Sequence, residues 1–126
     1  MKNINTEIKR TGTSNLFLEG RVLYLKSEHR KTTISKNQEK LIQCLLNGVF
    51  EKEEIINFIW GLKNKKNNYN QLIHQFRKQL SSKGFPDDLI ITIPRYGLCL
   101  NKYWLSKKSS RVEIRLFCSG DNNAFI

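Results

Sequence analysis

A set of polar side chains between residues 70 and 78 recurs at the spacing of one helix face. Its members are Asn70, Gln71, His74, Gln75 and Lys78. Because a helix turns by about 100° per residue, positions that are one, four, five and eight residues apart share one arc. An Asn or Gln side chain offers a donor and an acceptor in a fork that matches the exposed edge of adenine, and Lys donates to guanine. The pattern therefore predicts a helix face that forms hydrogen bonds with base edges in a major groove.

Positive charges surround this stretch, and no carboxylate interrupts them between Glu54 and Asp87. The interval contains Lys78 and also the cations that we expect to contact a phosphate backbone. These cations are Lys63, Lys65, Lys66, Arg77 and Lys83. Since a carboxylate near a phosphate would be repelled, this composition favours a polyanionic partner. The whole chain has a formal net charge of +11, which favours such a partner without specifying it. A solvated basic face with no partner is the alternative reading.

The other side of the same stretch is apolar. Its members are Tyr69, Leu72, Ile73, Phe76 and Leu80, which crowd into one arc of the helical wheel. The two arcs predict an amphipathic helix over 69–82, with the apolar stripe packed against the rest of the molecule.

Two further helices are predicted before this one. Residues 36–47 have an apolar helical period, and Ser35 with Gln38 fits a capping box at its start. Residues 52–60 form the second helix, because glutamates occupy its first turn, at the positive end of the helix dipole, and a glycine follows its last residue.

Short strands flank the helices on both sides. The segments 16–18, 22–25 and 32–34 are apolar or β-branched and are separated by turn residues, which predicts a three-stranded antiparallel meander. After the third helix, "LIITIPRYGLCL" is typical of a β-hairpin with its tip at 94–97.

The tip of this hairpin carries Arg95 and Tyr96. An arginine on a projecting tip beside a groove-binding helix is placed to enter a narrow minor groove or to contact its phosphates. An ordinary turn residue is the alternative for Arg95.

The order of elements predicts a single α+β domain. We expect a flexible N-terminus over 1–14, the domain itself over 15–101, and a C-terminal tail over 102–126. Alternating apolar and charged residues predict a short strand at 111–117 within that tail.

No other chemistry is indicated by the sequence. Cys44, Cys99 and Cys118 are far apart and the two histidines are isolated, so we expect no metal site. No nucleophile has a base at motif spacing, so we expect neither a catalytic residue nor a cofactor. No apolar run approaches the roughly 18–20 residues of a membrane span. A reducing cytoplasm, with the protein on the nucleoid, is the expected location.

Three stretches resemble the winged helix-turn-helix domain of the OmpR/PhoB-type response regulators, and most closely the ToxR/CadC-like one-component regulators. "LIQCLLNGVFEKEEIINFIWG" resembles the first two helices of that domain, "NYNQLIHQFRKQL" its recognition helix, and "ITIPRYGLCL" its wing. The resemblance covers about residues 15–101. It implies a winged helix fold with an N-terminal antiparallel sheet, three helices and a C-terminal β-hairpin wing.

The resemblance also implies roles for these elements. The third helix would enter the major groove, the wing would reach the adjacent minor groove, and the loop at 61–68 would contact RNA polymerase. A homodimer on tandem half-sites about 10 base pairs apart is a further expectation. We expect neither a receiver domain with a phosphoacceptor aspartate nor the membrane span of the ToxR/CadC-like branch in this chain. Glu51 and Leu98 depart from the family pattern, which prefers a Ser or Thr N-cap and an aromatic residue at these positions.

These observations predict a sequence-specific, DNA-binding transcriptional regulator whose partner is double-stranded DNA. One alternative is a nucleoid-type protein that binds DNA without sequence choice. Another is a protein-interaction winged helix that modulates a second regulator, with the tail strand added to the partner's sheet.

Overall fold

The computed structural model describes residues 10–61 and 66–106, except for the side chains of residues 66 and 67. Within these residues the chain is α+β, with a four-stranded antiparallel sheet, three helices, a β-hairpin and a short fourth helix in that order. The sheet strands are β1 Arg10–Gly12, β2 Leu16–Glu19, β3 Val22–Leu25 and β4 Arg30–Thr33. The helices are α1 Lys36–Leu46, α2 Lys52–Trp60, α3 Lys66–Ser82 and α4 Lys102–Ser106, and the hairpin strands are β5 Ile90–Ile93 and β6 Gly97–Leu100.

The sheet contains one strand more than the sequence predicts. β1 lies within the segment assigned to the flexible N-terminus, and it pairs antiparallel with β2, with Thr11 opposite Leu18. β1 has no apolar run and does not need one, because it is an edge strand held largely by backbone hydrogen bonds. The Arg10 guanidinium adds an ion pair with Glu19 at 2.9 Å and lies 4.0 Å from the centre of the Phe17 ring.

The starts of α1 and α2 follow from their first residues. The predicted capping box of α1 is confirmed, since the Gln38 amide N donates to Ser35 Oγ and the Ser35 amide N donates to Gln38 Oε1 at 2.9 Å. At the start of α2, the Glu51 carboxylate accepts a hydrogen bond from the Glu54 amide at 3.1 Å. Glu51 therefore caps its helix as a Ser or Thr would, and its charge also suits the positive end of the helix dipole.

One hydrophobic core joins the sheet, the helices and the hairpin. The inner sheet face contributes leucines at 16, 18, 23 and 25, and the fully buried helix side chains include Leu41, Ile56 and Phe76. Burial of a side chain of this size contributes about 1.5–3 kcal/mol. Trp60, the last residue of α2, is partly buried and packs against this cluster.

The β5–β6 hairpin is attached to the segment that joins α1 to α2. The Leu98 amide donates to the Phe50 carbonyl at 3.0 Å, and the Lys52 amide donates to the Tyr96 carbonyl at 2.8 Å. A Cβ atom at Gly97 would collide with the Phe50 carbonyl oxygen, so only glycine permits this approach. Residues 50–52 thus act as a third short strand beside β6 and fix the hairpin to the start of α2.

The short helix α4 closes one edge of the fold. Asn15, which is buried, donates to the Trp104 carbonyl at 2.6 Å and accepts from the Ser27 amide at 2.8 Å. The Trp104 indole N–H donates to the Asp88 carboxylate at 2.8 Å. The predicted domain end at residue 101 therefore omits residues that take part in the packing. The predicted strand at 111–117 lies outside the described residues.

Candidate nucleic-acid interface

The helix α3 presents the predicted polar face to solvent. Asn70, Gln71, His74, Gln75 and Lys78 are all exposed. The stripe at 69, 72, 73, 76 and 80 is buried on the opposite side, as predicted. With 17 residues and a rise of about 1.5 Å per residue, α3 is about 26 Å long. It begins at Lys66, three residues before the predicted start.

The rotation of α3 about its own axis is fixed by polar contacts as well as by the buried stripe. Gln79 Nε2 donates to the Thr33 carbonyl at 2.9 Å and to Thr32 Oγ1 at 3.2 Å. Its oxygen accepts from Gln38 Nε2 at 3.2 Å, and the Gln38 oxygen in turn belongs to the capping box of α1. These bonds join α3 to the edge strand of the sheet and to α1, so the exposed face has one defined direction.

Arg77 lies on the flank of α3 and is partly buried. Its Nη2 atom donates to Thr92 Oγ1 at 2.8 Å and to the Ile90 carbonyl at 3.1 Å. The predicted contact of Arg77 with phosphate is untested by this geometry, since a guanidinium has five N–H donors and two bonds do not exhaust them. The structure adds a second role, because these bonds hold β5 against α3.

The hairpin tip projects Arg95 and Tyr96 into solvent, and Tyr96 is 50% exposed. The Tyr96 amide donates to the Ile93 carbonyl at 3.0 Å and closes a turn with Pro94 and Arg95 at its centre. Arg95 has φ 63°, a left-handed conformation that disfavours a residue with a Cβ atom. This conformation costs on the order of 1 kcal/mol, and it also occurs at His29, where it ends a short turn.

The other predicted backbone cations are placed as follows. Lys83 is exposed and directly follows α3. Lys66 is the first residue of α3. Lys63 and Lys65 lie outside the described residues, as does the whole stretch 62–65 within the 61–68 segment. Among the described members, Arg77 joins α3 to β5, the strand that leads into the tip carrying Arg95.

Sequence reasoning missed residues of two kinds. Ser81 and Ser82 are exposed and continue the polar face, and their spacing of three and four from Lys78 was a usable signal. Gln79 and Thr92 serve to position α3 and β5, and no local pattern reveals this because their partners are distant in sequence.

Two ionisable groups outside the face are perturbed by burial. Desolvation raises the pKa of the Cys44 thiol from 9.0 to about 11. Burial also raises the pKa of Tyr69, against an opposing effect of Arg77. Cys44 lies in the core, and its thiol stays protonated at neutral pH.

Over residues 10–61 and 66–106, no group of three or more His, Cys, Asp or Glu side chains is arranged to hold a metal ion. In the same part of the chain, no helix has the length and apolar character needed to cross a membrane. No protein-family model matches the chain, and no curated protein matches it.

Proposed function

We propose that this chain is a sequence-specific, DNA-binding transcriptional regulator of the winged helix-turn-helix type. The observation that carries the proposal is the exposed face of α3, where amides, a histidine and a lysine stand opposite a fully packed apolar stripe. An α-helix of this width fits the major groove of B-DNA, and amide side chains then reach base edges. The proposed family is that of the OmpR/PhoB-type domains, closest to the ToxR/CadC-like branch.

The β5–β6 hairpin is the proposed wing. The contacts of Arg77 with Thr92 and Ile90 hold β5 beside α3, so a duplex bound to α3 would lie near the tip at Arg95. Arginine is favoured in a narrow minor groove by its enhanced negative potential. We therefore propose that Arg95 and Tyr96 contact the minor groove next to the bases that α3 reads.

Affinity in this proposal comes mainly from cations, and sequence choice comes from amides. Lysines and arginines that contact phosphates release condensed counterions on binding, which makes affinity depend steeply on salt. The acid-free interval from Glu54 to Asp87 supports this assignment. Contact of the 61–68 segment with RNA polymerase, a homodimer on tandem half-sites, and a cytoplasmic, nucleoid-associated location are further parts of the proposal.

The proposal is tested by measuring which sequences the full chain selects from a random duplex library, with affinities at several salt concentrations. Gln71→Ala and Gln75→Ala should change the preferred base at one or two positions, with a loss of about 1–3 kcal/mol on the original sequence. Lys66→Ala and Arg95→Asn should keep the preference but weaken binding to all duplexes. Each should lower the salt slope by about one unit.

Matched substitutions away from the face serve as controls. Gln43→Ala on α1 and Lys102→Ala on α4 make the same chemical changes and should leave both preference and salt slope unchanged. Arg77→Ala is a poor probe, because it also removes the bonds to β5. If both classes of variant lose affinity equally on every sequence, the protein is a non-specific DNA binder. If the unmodified chain binds no duplex, the proposed function is wrong.

A further inference from the structure

A cleft of about 420 Å³ opens between β3, β4 and the C-terminal end of α3. Its lining residues are Val22, Tyr24, Lys31, Thr32, Thr33, Gln79 and Lys83. The volume falls in the range of about 300–1,000 Å³ that small-molecule sites usually occupy. None of these residues belongs to the predicted base-reading set of α3, although Lys83 is also one of the cations predicted to contact a phosphate backbone.

The cleft is cationic. Two lysines line it from two different elements, Lys31 on the edge strand β4 and Lys83 just after α3, and both residues are exposed. No carboxylate occurs among the described residues that line the cleft. A further cation lies nearby, since a Cβ atom at Gly84 would come within 2.7 Å of Arg30 Nε, which places that guanidinium against the end of α3. An anion in this cleft would therefore meet only positive or neutral side chains from its lining.

The wall of the cleft that contains Gln79 is preorganised. Gln79 is held by its bonds to Thr32 and Thr33, so this wall does not have to be ordered when a ligand arrives. Lysine amines carry three donors each and form charge-assisted hydrogen bonds with phosphate oxygens. Tyr24 also lines the cleft and is the cross-strand neighbour of Lys31 in the sheet register.

We propose that this cleft binds a small phosphate-bearing ligand through Lys31 and Lys83. Phosphate oxygens come either from a free small molecule or from a DNA backbone. Because a helix turns by about 100° per residue, Gln79 lies about 100° around α3 from the middle of the exposed face. The cleft therefore faces sideways from the proposed DNA surface, which favours a free ligand. This binding does not depend on the proposed function.

The test titrates the full chain with inorganic pyrophosphate and with inorganic phosphate at constant ionic strength, without DNA, by calorimetry and by amide chemical shifts. The shifts should be confined to residues 22–24, 31–33 and 79–84. The double variant Lys31→Gln/Lys83→Gln should lose about tenfold or more in pyrophosphate affinity. The control Lys26→Gln/Lys102→Gln removes the same charge from exposed sites elsewhere and should stay within about twofold of the unmodified chain.

Three outcomes would overturn the proposal. One is an equal loss in both double variants, which would show only diffuse attraction of an anion to a basic protein. Another is a set of shifts centred elsewhere. The third is an absence of pyrophosphate binding by the unmodified chain; weaker duplex binding by Lys31→Gln/Lys83→Gln would then assign the two lysines to the DNA backbone. Failure of the chain to bind any duplex would leave the pyrophosphate result standing, so the two proposals fail separately.

Discussion

Gln75 and Gln79 show how one residue type takes opposite roles one turn apart. Gln75 is exposed on the polar face, whereas Gln79 is bonded to Thr32, Thr33 and Gln38. Four residues advance a helix by about 400°, so Gln79 is turned about 40° further round than Gln75. That small rotation moves its amide from solvent to the sheet edge. A helical wheel shows this rotation, but only the position of β4 in the fold determines that Gln79 meets the sheet edge while Gln75 faces solvent.

The thiol of Cys44 gives a prediction about pH and stability. Burial raises its pKa in the folded protein to about 11, from 9.0 for an ordinary thiol. Between pH 9 and 11 the unfolded chain has lost this proton and the folded chain keeps it, so the free energy of unfolding should fall as pH rises. The fall is at most about 1.4 kcal/mol for each unit of pKa difference. Urea unfolding at intervals from pH 8 to 11 measures it.

Cys44→Ala is the control for this prediction. It removes the thiol but keeps Tyr69, whose pKa is also raised by burial. The variant should therefore show a shallower decline of stability between pH 9 and 11. Parallel pH curves for the two proteins would contradict the assignment to Cys44.

At the scale of elements, the position of the β5–β6 hairpin depends on the close approach of the backbone of residues 50–52 to the backbone of β6. Residues 50–52 pair with β6 on one side of the hairpin, and Arg77 holds β5 on the other. The hairpin is therefore anchored both to the start of α2 and to α3. A hairpin held at two points keeps a fixed spacing between its tip and the exposed face of α3, which the proposed binding of adjacent grooves requires.

Gly97→Ala should disrupt the first of these anchors. The new methyl group would collide with the Phe50 carbonyl, and overpacking of this kind costs about 1–3 kcal/mol. Hydrogen exchange should show loss of protection at the Lys52 and Leu98 amides, which bond across this junction. Stability is measured by urea unfolding of the same samples.

Gly48→Ala is the control that distinguishes the steric collision at position 97 from backbone strain alone. Gly48 has φ 83° and no atom within 4 Å of an added Cβ, so alanine there costs about 1 kcal/mol through conformation alone. The Lys52 and Leu98 amides should keep their protection in this variant. Retained protection of both amides in Gly97→Ala would show that the hairpin does not rely on this approach.

At the scale of the whole molecule, Asn15 joins parts of the chain that are distant in sequence. It is 3% exposed, and its side chain bonds to Ser27 after β3 and to Trp104 in α4, while its carbonyl accepts from Lys26. A buried amide with this many partners is costly to remove, because each partner then loses its hydrogen bond without regaining water. Asn15 is therefore one of the anchors of α4, together with the Trp104–Asp88 hydrogen bond and the packing of residues 104 and 105.

Asn15→Ala should lower the free energy of unfolding by about 1–3 kcal/mol. Asn47→Ala is the matched control, since Asn47 is exposed and its side chain bonds locally to the Gln43 carbonyl. Its cost should stay within about 0.5 kcal/mol. Denaturant unfolding measures both, and equal costs in the two variants would contradict the role assigned to Asn15.

Periodicity and turn chemistry were enough to predict most of the elements. The helices at 36–47 and 52–60, the capping box at Ser35 and the hairpin after α3 all rest on residues close in sequence, and the structure confirms them. The buried stripe and exposed face of α3 were predicted for the same reason, because a helix fixes which residues share a side. The DNA-reading role of that face stays a prediction.

Tertiary structure alone decided the rest. β1, with no apolar pattern of its own, is defined by pairing with β2. The double anchoring of the hairpin, the internal role of Arg77 and the bonds of Gln79 all join residues more than ten positions apart. A sequence pattern encodes which side of an element is apolar, but it does not encode which distant element that side will meet. That information appears only when packing brings the elements together.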